Sequence, residues 1–221
     1  MSISENISLV KNNLQENVTL IAVSKTRTTE EIKEAYNLGM RDFGENKVQE
    51  FVTKFDNFGE DVRWHLIGHL QTNKIKFIVG KVFLIHSLDS IKLLRQLEKH
   101  YKAESKTCSA LIQINIGREE SKTGLLLEEL ETLLSECEKC QNVQIKGLMA
   151  VIPNKTEQED RKYFSQMKHI WDTLKIRSFN NIEMKYLSMG MTGDYSIAIS
   201  EGSNMVRIGE GIFGKRIYNK E

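Results

Sequence analysis

The sequence predicts an α/β protein, a (β/α)₈ barrel of the TIM type with an additional N-terminal helix. Eight short apolar segments have the character of strands, and amphipathic segments separate them. The 221 residues include a single proline, Pro153, and no Gly/Ser-rich linker or block of charge interrupts the alternation. We therefore expect a single domain, 1–221, in which eight parallel strands are surrounded by helices.

The predicted strands are rich in Val, Ile, Leu and Phe, and several are continuous apolar runs, as expected of parallel strands buried on both faces. They span residues 18–24, 41–44, 63–68, 82–87, 109–116, 143–149, 182–188 and 204–209. Eight strands that alternate with helices favour a closed barrel over an open doubly wound sheet. The open sheet stays an alternative because the segments 41–44 and 204–209 are short.

The predicted helices carry the usual sequence signals. Segment 4–16 is expected to form the additional N-terminal helix and to cover one end of the barrel. Thr28 and Thr29 precede Glu30 and Glu31 in the order that is typical of an N-cap followed by a first helical turn. Within segment 157–176, apolar residues recur every three or four positions and form one stripe, namely Tyr163, Met167, Ile170 and Leu174.

Composition excludes several classes of partner. With 31 basic and 30 acidic residues the formal net charge is +1, which argues against a nucleic-acid or anionic-membrane surface. No apolar run approaches the roughly 20 residues needed to cross a bilayer, and the N-terminal segment lacks the pattern of a signal peptide. Three cysteines, an odd number, fit a reducing compartment. We therefore expect a cytoplasmic protein.

In a barrel of this kind the functional residues lie at the C-terminal ends of the strands. Glycines follow almost every predicted strand, and for most of them an ordinary strand-to-helix turn is sufficient explanation. The loops after the seventh and eighth strands are different, because barrels commonly bind phosphate there through backbone N–H groups. The predicted phosphate site consists of the Ser188 hydroxyl and the backbone at Gly190, Gly209 and Glu210.

Lys25 and Arg207 suggest the ligand that carries this phosphate. Lys25 ends an apolar strand, where a desolvated amine can form a Schiff base with an aldehyde, although a solvated lysine is the alternative. An aldehyde together with a phosphate points to pyridoxal 5'-phosphate (PLP). Arg207, facing the pyridine nitrogen, would keep that nitrogen unprotonated and the ring a poor electron sink. Pairing of Arg207 with a carboxylate in the barrel is equally compatible with the sequence.

The same segments resemble the pyridoxal phosphate homeostasis protein family over essentially the whole chain. Seven of them occur in the order of that family: AVSKT, FGENKVQE, WHLIGHLQTNK, HSLD, QINIGREESKTG, GLMAVIP and LSMGMTGDYSIAISEGSNMVRIGEGIFGKR. The family is similar in fold to the barrel domain of alanine racemase, the fold-type III class of PLP proteins. Its members have no established catalytic activity and are tied to vitamin B6 and amino-acid balance.

The resemblance implies a role for each of six residues. It implies a Schiff base at Lys25, a place near the cofactor ring for Asn46, a pyridine-nitrogen contact for Arg207, and phosphate contacts for Ser188, Gly209 and Glu210. Two positions depart from the family pattern. Glu210 stands where many relatives have a small hydroxyl residue, so only its backbone N–H is expected to bind phosphate, with a weaker affinity in consequence. Asn204 replaces a more usual threonine at the start of a strand.

The remaining cysteines and histidines predict no metal site. Cys137 and Cys140 form a CxxC within a glutamate-rich helical stretch, and the sequence has no second pair with metal-ligand spacing. His65, His69 and His86 are expected to gather at the exits of the third and fourth strands. No carboxylate spacing completes a metal site around them, so pocket or core packing is favoured, with His86 a candidate to line the cofactor pocket.

Three functions remain in competition: a carrier that binds and hands over PLP without turnover, an amino-acid racemase of weak activity, and a barrel enzyme for another phosphorylated metabolite. Two-base racemisation needs an acid–base group on each face of the substrate. In fold-type III racemases a second, β-rich domain of the partner subunit supplies one, and residues after the eighth strand are too few to form it. We therefore expect a non-catalytic, monomeric PLP carrier whose protein partners are apo forms of PLP enzymes.

Overall fold

The structure is a computed structural model that describes residues 1–120, 122–153 and 156–215. Eight parallel strands form a closed barrel in which sequence neighbours pair throughout. They are β1 (Thr19–Val23), β2 (Asp42–Glu45), β3 (Arg63–Leu66), β4 (Leu84–Leu88), β5 (Cys108–Ile114), β6 (Val143–Ala150), β7 (Ile182–Ser188) and β8 (Met205–Ile208). All eight predicted strands are confirmed. Of the family-like segments, Ser121 and Arg216 lie outside the described residues, as does the end of the predicted domain, 216–221.

Helices precede and follow the strands along the chain. They are α1 (Ile3–Asn12), α2 (Thr29–Asn37), α3 (Val48–Phe55), α4 (Ile91–Ala103), α5 (Leu130–Cys137), α6 (Glu157–Lys175), α7 (Tyr195–Ser200) and α8 (Glu210–Phe213). Between β3 and β4 the crossover contains a 3₁₀ helix, Thr72–Phe77. Within the described ranges, no helix combines the length and the apolar character that crossing a bilayer requires.

Pairing of the first strand with the last closes the sheet. Thr19 is in register with Met205 and Ala22 with Ile208, while on its other side β1 pairs with β2. The open doubly wound sheet that the strand count left possible is therefore wrong. Closure also places the carboxyl ends of β8, β1 and β2 side by side, so residues distant in sequence share one edge of the barrel mouth.

The additional N-terminal helix is confirmed but is shorter than predicted. α1 begins after Ser2, whose side chain forms a capping box with Glu5, and it ends at Asn12 instead of residue 16. It packs against α2 and α8, where the Asn6 Nδ2 donates to the carbonyl of Ile212 at 2.9 Å. It thus lies beside helices of the outer layer. The predicted cap of α2 is also confirmed, because Thr28 and Glu31 form a capping box.

Two apolar clusters hold the barrel together. A small cluster fills part of the interior and consists of Ile21, Leu84, Leu111, Met149 and Met205, each from a different strand. A much larger one lies between the strands and the helices, where the Trp64 ring packs against those of Phe43 and Phe51, each at a centroid separation of 5.8 Å. This division follows from strand periodicity, because alternate residues point to opposite faces of the sheet.

An irregularity at Gly147 shifts the pairing of β6 with β7. Ile145 pairs with Ile182, but two residues later Gly147 pairs with Tyr186, so β7 advances by four residues where β6 advances by two. Gly147 has φ +139°, and a Cβ at this position would overlap the Tyr186 carbonyl oxygen. Glycine is therefore required here both for its conformation and for the close approach of the two backbones.

We predict that Gly147→Ala lowers the free energy of unfolding by about 3 kcal/mol, because it combines a strained φ with a backbone clash. Gly39→Ala is the matched control: Gly39 has φ +87°, but a Cβ there meets no atom within 4 Å. The control should cost about 1 kcal/mol, the strain alone. Urea denaturation of both variants measures the difference, and equal losses would contradict the assigned clash.

Candidate functional site

The barrel mouth brings Lys25, Asn46 and the start of α8 together. A Cβ built on Gly209 would lie 3.4 Å from the Cβ of Val23, so the loop after β8 runs beside the end of β1. On the other side, Val23 is in register with Gly44. Two residues beyond Val23, the half-buried Lys25 therefore lies between the end of β2, which leads into Asn46, and the first turn of α8.

The backbone on either side of Lys25 is held by helix α3. Lys54 of that helix donates from Nζ to the Ser24 carbonyl oxygen at 2.8 Å. On the other side of the lysine, the Thr26 N–H donates to the carboxylate of Glu50. Thr26 has φ +64°, a left-handed conformation that is costly for a β-branched residue and needs support from its surroundings. The two contacts supply that support and fix the direction in which the strand delivers Lys25.

A buried ion pair holds Lys54 and Glu50 in place for these two backbone contacts. The Lys54 ammonium lies 2.8 Å from the Glu45 carboxylate and 2.7 Å from that of Glu50, and the Ser24 hydroxyl donates to Glu45 at 2.6 Å. Glu45 is fully buried. Burial raises the pKa of its carboxyl, an effect that Lys54 opposes through a hydrogen bond and its charge. Sequence reasoning missed this cluster, since Lys54 occupies a helix position at which a solvated lysine is the ordinary expectation.

Ser188 and Arg207 form a buried polar pair between β7 and β8. The Arg207 guanidinium donates to the Ser188 hydroxyl oxygen at 2.6 Å and to the Ala150 carbonyl at 2.9 Å. Burial lowers the pKa of Arg207 to about 10, partly offset by the charge of Asp194, so the guanidinium remains a cation at neutral pH. Across the described residues no carboxylate forms an ion pair with Arg207, and the alternative role that the sequence left open is therefore not found.

The glycine loops have distinct structural roles. Gly190 has φ +97°, a Cβ on it would lie 2.7 Å from the Ala198 Cβ, and its carbonyl accepts from the Arg207 N–H at 3.0 Å. It thus allows α7 to pack closely against the end of β7. Gly209 immediately precedes α8. Glu210 is the first residue of that helix, and its side chain is exposed. The carboxylate that departs from the family pattern is therefore in contact with solvent.

Asn204, the second departure, links the last two strands. Its side-chain oxygen accepts from the Leu187 N–H at 2.7 Å, and its amide nitrogen donates to the Lys185 carbonyl at 2.8 Å. β7 and β8 are in register at one pair only, Ser188 with Met205. The Asn204 side chain therefore supplies hydrogen bonds that a longer strand ladder would otherwise provide.

Two of the three histidines lie inside the barrel, and their predicted position at the strand exits is wrong. His65 and His86 are buried residues in the middle of β3 and β4, with His86 Nδ1 3.1 Å from the Ser188 Oγ. Their ring nitrogens are 3.0 Å apart, and His65 Nε2 lies 3.0 Å from an oxygen of Asp42. His69 is separate and partly exposed, paired with Asp89 at 3.1 Å. Sequence reasoning missed Asp42, although a carboxylate at the start of a buried strand is a signal.

The CxxC cysteines are poor candidates for redox or metal chemistry. Burial raises the pKa of the Cys137 thiol to about 12 and that of Cys140 to about 11, so the reactive thiolate is scarce at neutral pH. In the described part of the chain, no group of three or more His, Cys, Asp or Glu side chains is arranged to hold a metal ion.

The fold and the residues at its mouth define the class of alanine racemase-type barrels. A family model described as "Alanine racemase, N-terminal domain" matches residues 1–216. The solved structure of alanine racemase from Clostridium difficile has the same fold, with a TM-score of 0.75. It is 15% identical, and the match covers 99% of this chain and 57% of that one. This likeness concerns the fold alone.

More specific similarity comes from two other proteins. The pyridoxal phosphate homeostasis protein of Aquifex aeolicus is 42% identical over 201 residues, which cover 90% of this chain and 87% of the relative. PipY of Synechococcus elongatus, whose structure with PLP bound is known, has a TM-score of 0.88 and 33% identity, over 96% of this chain and 100% of that one. The chain belongs to the pyridoxal phosphate homeostasis protein family.

We predict that Lys54→Met lowers the free energy of unfolding by about 3–5 kcal/mol at neutral pH, because it leaves Glu45 as a buried charge without its partner. In the folded state the pKa of Glu45 lies above its unfolded value, so the folded protein holds that proton more tightly. The loss should therefore shrink as the pH falls from about 7 to about 5.

Denaturant unfolding at both pH values measures this effect. The double variant Glu45→Gln/Lys54→Met is the control, because it removes both charges together and should recover part of the lost stability at neutral pH. A loss that does not change with pH would contradict the role assigned to the Glu45 carboxylate.

Proposed function

We propose that this protein binds PLP covalently through Lys25 and carries it without catalytic turnover, as part of PLP homeostasis. The observation that carries the proposal is that barrel closure places the loop at Gly209 beside the end of β1, which leads into Lys25, while β8 also carries the buried Arg207, whose partner is Ser188 of β7. The relationship to PipY, a protein with a PLP-bound structure, supports it.

The donor set matches the chemistry of PLP. A primary amine at Lys25 suits the aldehyde, and the backbone at Gly209 and Glu210 suits the phosphate, because no side chain at Gly209 blocks the approach. Arg207 keeps its charge while buried and therefore suits the pyridine nitrogen as a donor that does not transfer its proton. Asn46, half-buried next to Lys25, is the residue proposed beside the ring.

The proposed anchoring reaction needs only Lys25 and the cofactor. Lys25 would hold PLP through a C=N bond between its Nζ and the aldehyde carbon, with release of one water made from the aldehyde oxygen and the two amine hydrogens. PLP supplies an electrophilic carbon and an aromatic ring that can act as an electron sink when its nitrogen is protonated. Arg207 opposes that protonation, and this favours storage of the cofactor over its use in carbanion chemistry.

The Glu210 carboxylate is expected to weaken phosphate binding only slightly. Its exposed carboxylate repels a phosphate dianion only weakly, because solvent and salt screen charges at the surface. In the proposed complex the backbone N–H groups of Gly209 and Glu210 bind the phosphate, while the N–H of Gly211 donates to the Thr192 hydroxyl at 3.2 Å. We further propose that the protein acts as a cytoplasmic, single-domain monomer, and that apo forms of PLP enzymes receive the cofactor from it.

We predict that Lys25→Ala folds normally but loses covalent PLP. Borohydride reduction of the PLP-treated protein, followed by peptide mass mapping, should label the Lys25 peptide in the wild type and no peptide in the variant. Lys47→Ala is the matched control, since Lys47 is an exposed lysine beside Asn46 at the start of α3. Labelling that persists in the Lys25 variant, or disappears in the control, would contradict the assigned anchor.

An amino-acid racemase is the competing function, because the fold is that of alanine racemase. Among the proposed site residues, Lys25 has an amine that is able to move a substrate proton, whereas Asn46 is an amide and Ser188 is bonded to Arg207. A two-base reaction needs a second such group. We therefore predict that the PLP-loaded protein exchanges the α-proton of alanine with D₂O no faster than free PLP does. Proton NMR measures the rate, and clearly faster exchange would establish an enzyme.

A further inference from the structure

A continuous row of polar side chains crosses the inside of the barrel and includes Ser188, the proposed phosphate contact. Its five members come from five strands and are bonded in sequence: Asp42 to His65 at 3.0 Å, His65 to His86 at 3.0 Å, His86 to Ser188 at 3.1 Å, and Ser188 to Arg207 at 2.6 Å. All five are buried. Neighbouring buried polar groups that share hydrogen bonds constrain each other's hydrogens.

The two ends of this row decide the direction of every hydrogen in it. The Arg207 guanidinium can only donate, and an ionised Asp42 carboxylate can only accept. The Ser188 Oγ accepts from Arg207, so its own hydrogen is available for His86 Nδ1. That leaves His86 Nε2–H to donate to His65 Nδ1. Finally, His65 Nε2–H donates to Asp42, and each hydrogen bond in the row then has one donor and one acceptor.

The surrounding charges favour this protonation state. Burial lowers the pKa of His65. It also lowers the pKa of His86, and the charges of His65 and Arg207 lower it further, well below its ordinary value. Burial alone would raise the pKa of Asp42, but hydrogen bonds from His65 and Arg63 hold it below its ordinary value. Both rings are therefore neutral and the carboxylate is ionised.

The charged and titratable groups that act on the row come from four strands and one loop. Asp42 and Arg63 lie at the His65 end, with Tyr186 acting on Arg63. Arg207 lies at the His86 end, and the charge of Asp194 raises the pKa of Arg207. The carboxylate is thus at the start of β2 and the buried cation at β8, and both favour the same orientation of the hydrogens between them.

One consequence concerns the Ser188 hydroxyl. With its hydrogen directed to His86, Ser188 presents only lone pairs to a phosphate, whose oxygens are themselves acceptors. A hydrogen bond between the two groups therefore needs one additional proton. It can reside on His86, which frees the Ser188 hydrogen, or on the phosphate, whose second pKa is about 6 in phosphorylated side chains. In both cases the complex contains one proton more than the separate protein and the phosphate dianion.

We propose that Asp42, His65 and His86 are positioning residues that fix the Ser188 hydroxyl hydrogen and thereby link phosphate binding at Ser188 to the uptake of one proton from solvent. The inference rests on the proposed function, because it takes Ser188 as a phosphate contact. Above the second pKa of the phosphate, affinity falls with rising pH, since proton uptake becomes progressively less favourable. A purely structural role of the row would not produce this linkage.

The test uses pyridoxine 5'-phosphate, which has an alcohol in place of the aldehyde and so forms no bond with Lys25. Titration calorimetry in buffers of different ionisation enthalpy counts the protons taken up on binding. Between about pH 7.5 and 9, the wild type should take up about one proton more than Asp42→Asn, and its affinity should fall about tenfold more per pH unit. An amide at position 42 can donate to His65 Nε2, which reverses the row and frees the Ser188 hydrogen without an added proton.

Two further variants keep the test decisive. Asp61→Asn is the matched control, because Asp61 is an exposed carboxylate paired with Arg41, and it should behave like the wild type. His86→Asn places an amide near the position of Nδ1 and should lose the extra proton even if Asp42→Asn fails to fold. Equal uptake by the wild type and by the folded row variants overturns the inference and leaves the proposed function standing. Failure of the wild type to bind both pyridoxine 5'-phosphate and PLP overturns both.

Discussion

Pairing of β1 with β8 is the interaction on which the rest of the molecule depends. It closes the sheet and thereby removes both exposed edges. It also brings the residue after the first strand beside the first turn after the last one, although nearly the whole chain separates them in sequence. Neither Lys25 nor the loop at Gly209 forms a site alone. They are close together only because the barrel is closed, so the arrangement of the proposed site depends on that closure.

Much of this architecture could be predicted from the sequence, because buried parallel strands appear as apolar runs and helix starts carry capping residues. The short predicted strands 41–44 and 204–209 both form, as Asp42–Glu45 and Met205–Ile208, and they flank β1 on its two sides. Boundaries were less predictable. α1 ends at Asn12 because the following polar residues turn away from the helix, with Asn13 as its C-cap, and nothing in the composition of 13–16 marks that end.

Interactions that depend on three-dimensional neighbours could not be predicted in the same way. Lys54 resembles any helix lysine until the position of Glu45 is known, and Asp42 resembles any polar residue at the start of a strand. Their meaning depends on which face of the strand is turned inward and on which strands are adjacent across the interior. Lys25 and Arg207 were accessible to sequence reasoning because a charged group within an apolar strand is unusual on its own.

The backbone shift at Gly147 decides what Ser188 can reach. Without the two additional residues in β7, Met149 would be in register with Tyr186, and Ser188 would stand two positions nearer the open mouth. At about 3.3 Å per residue, that displacement is about 7 Å. Since the shift is an even number of residues, the side chain still points inward, but its hydroxyl would be far from both His86 and Arg207. A single residue without a side chain, on a neighbouring strand, thus determines the depth at which the barrel presents its serine.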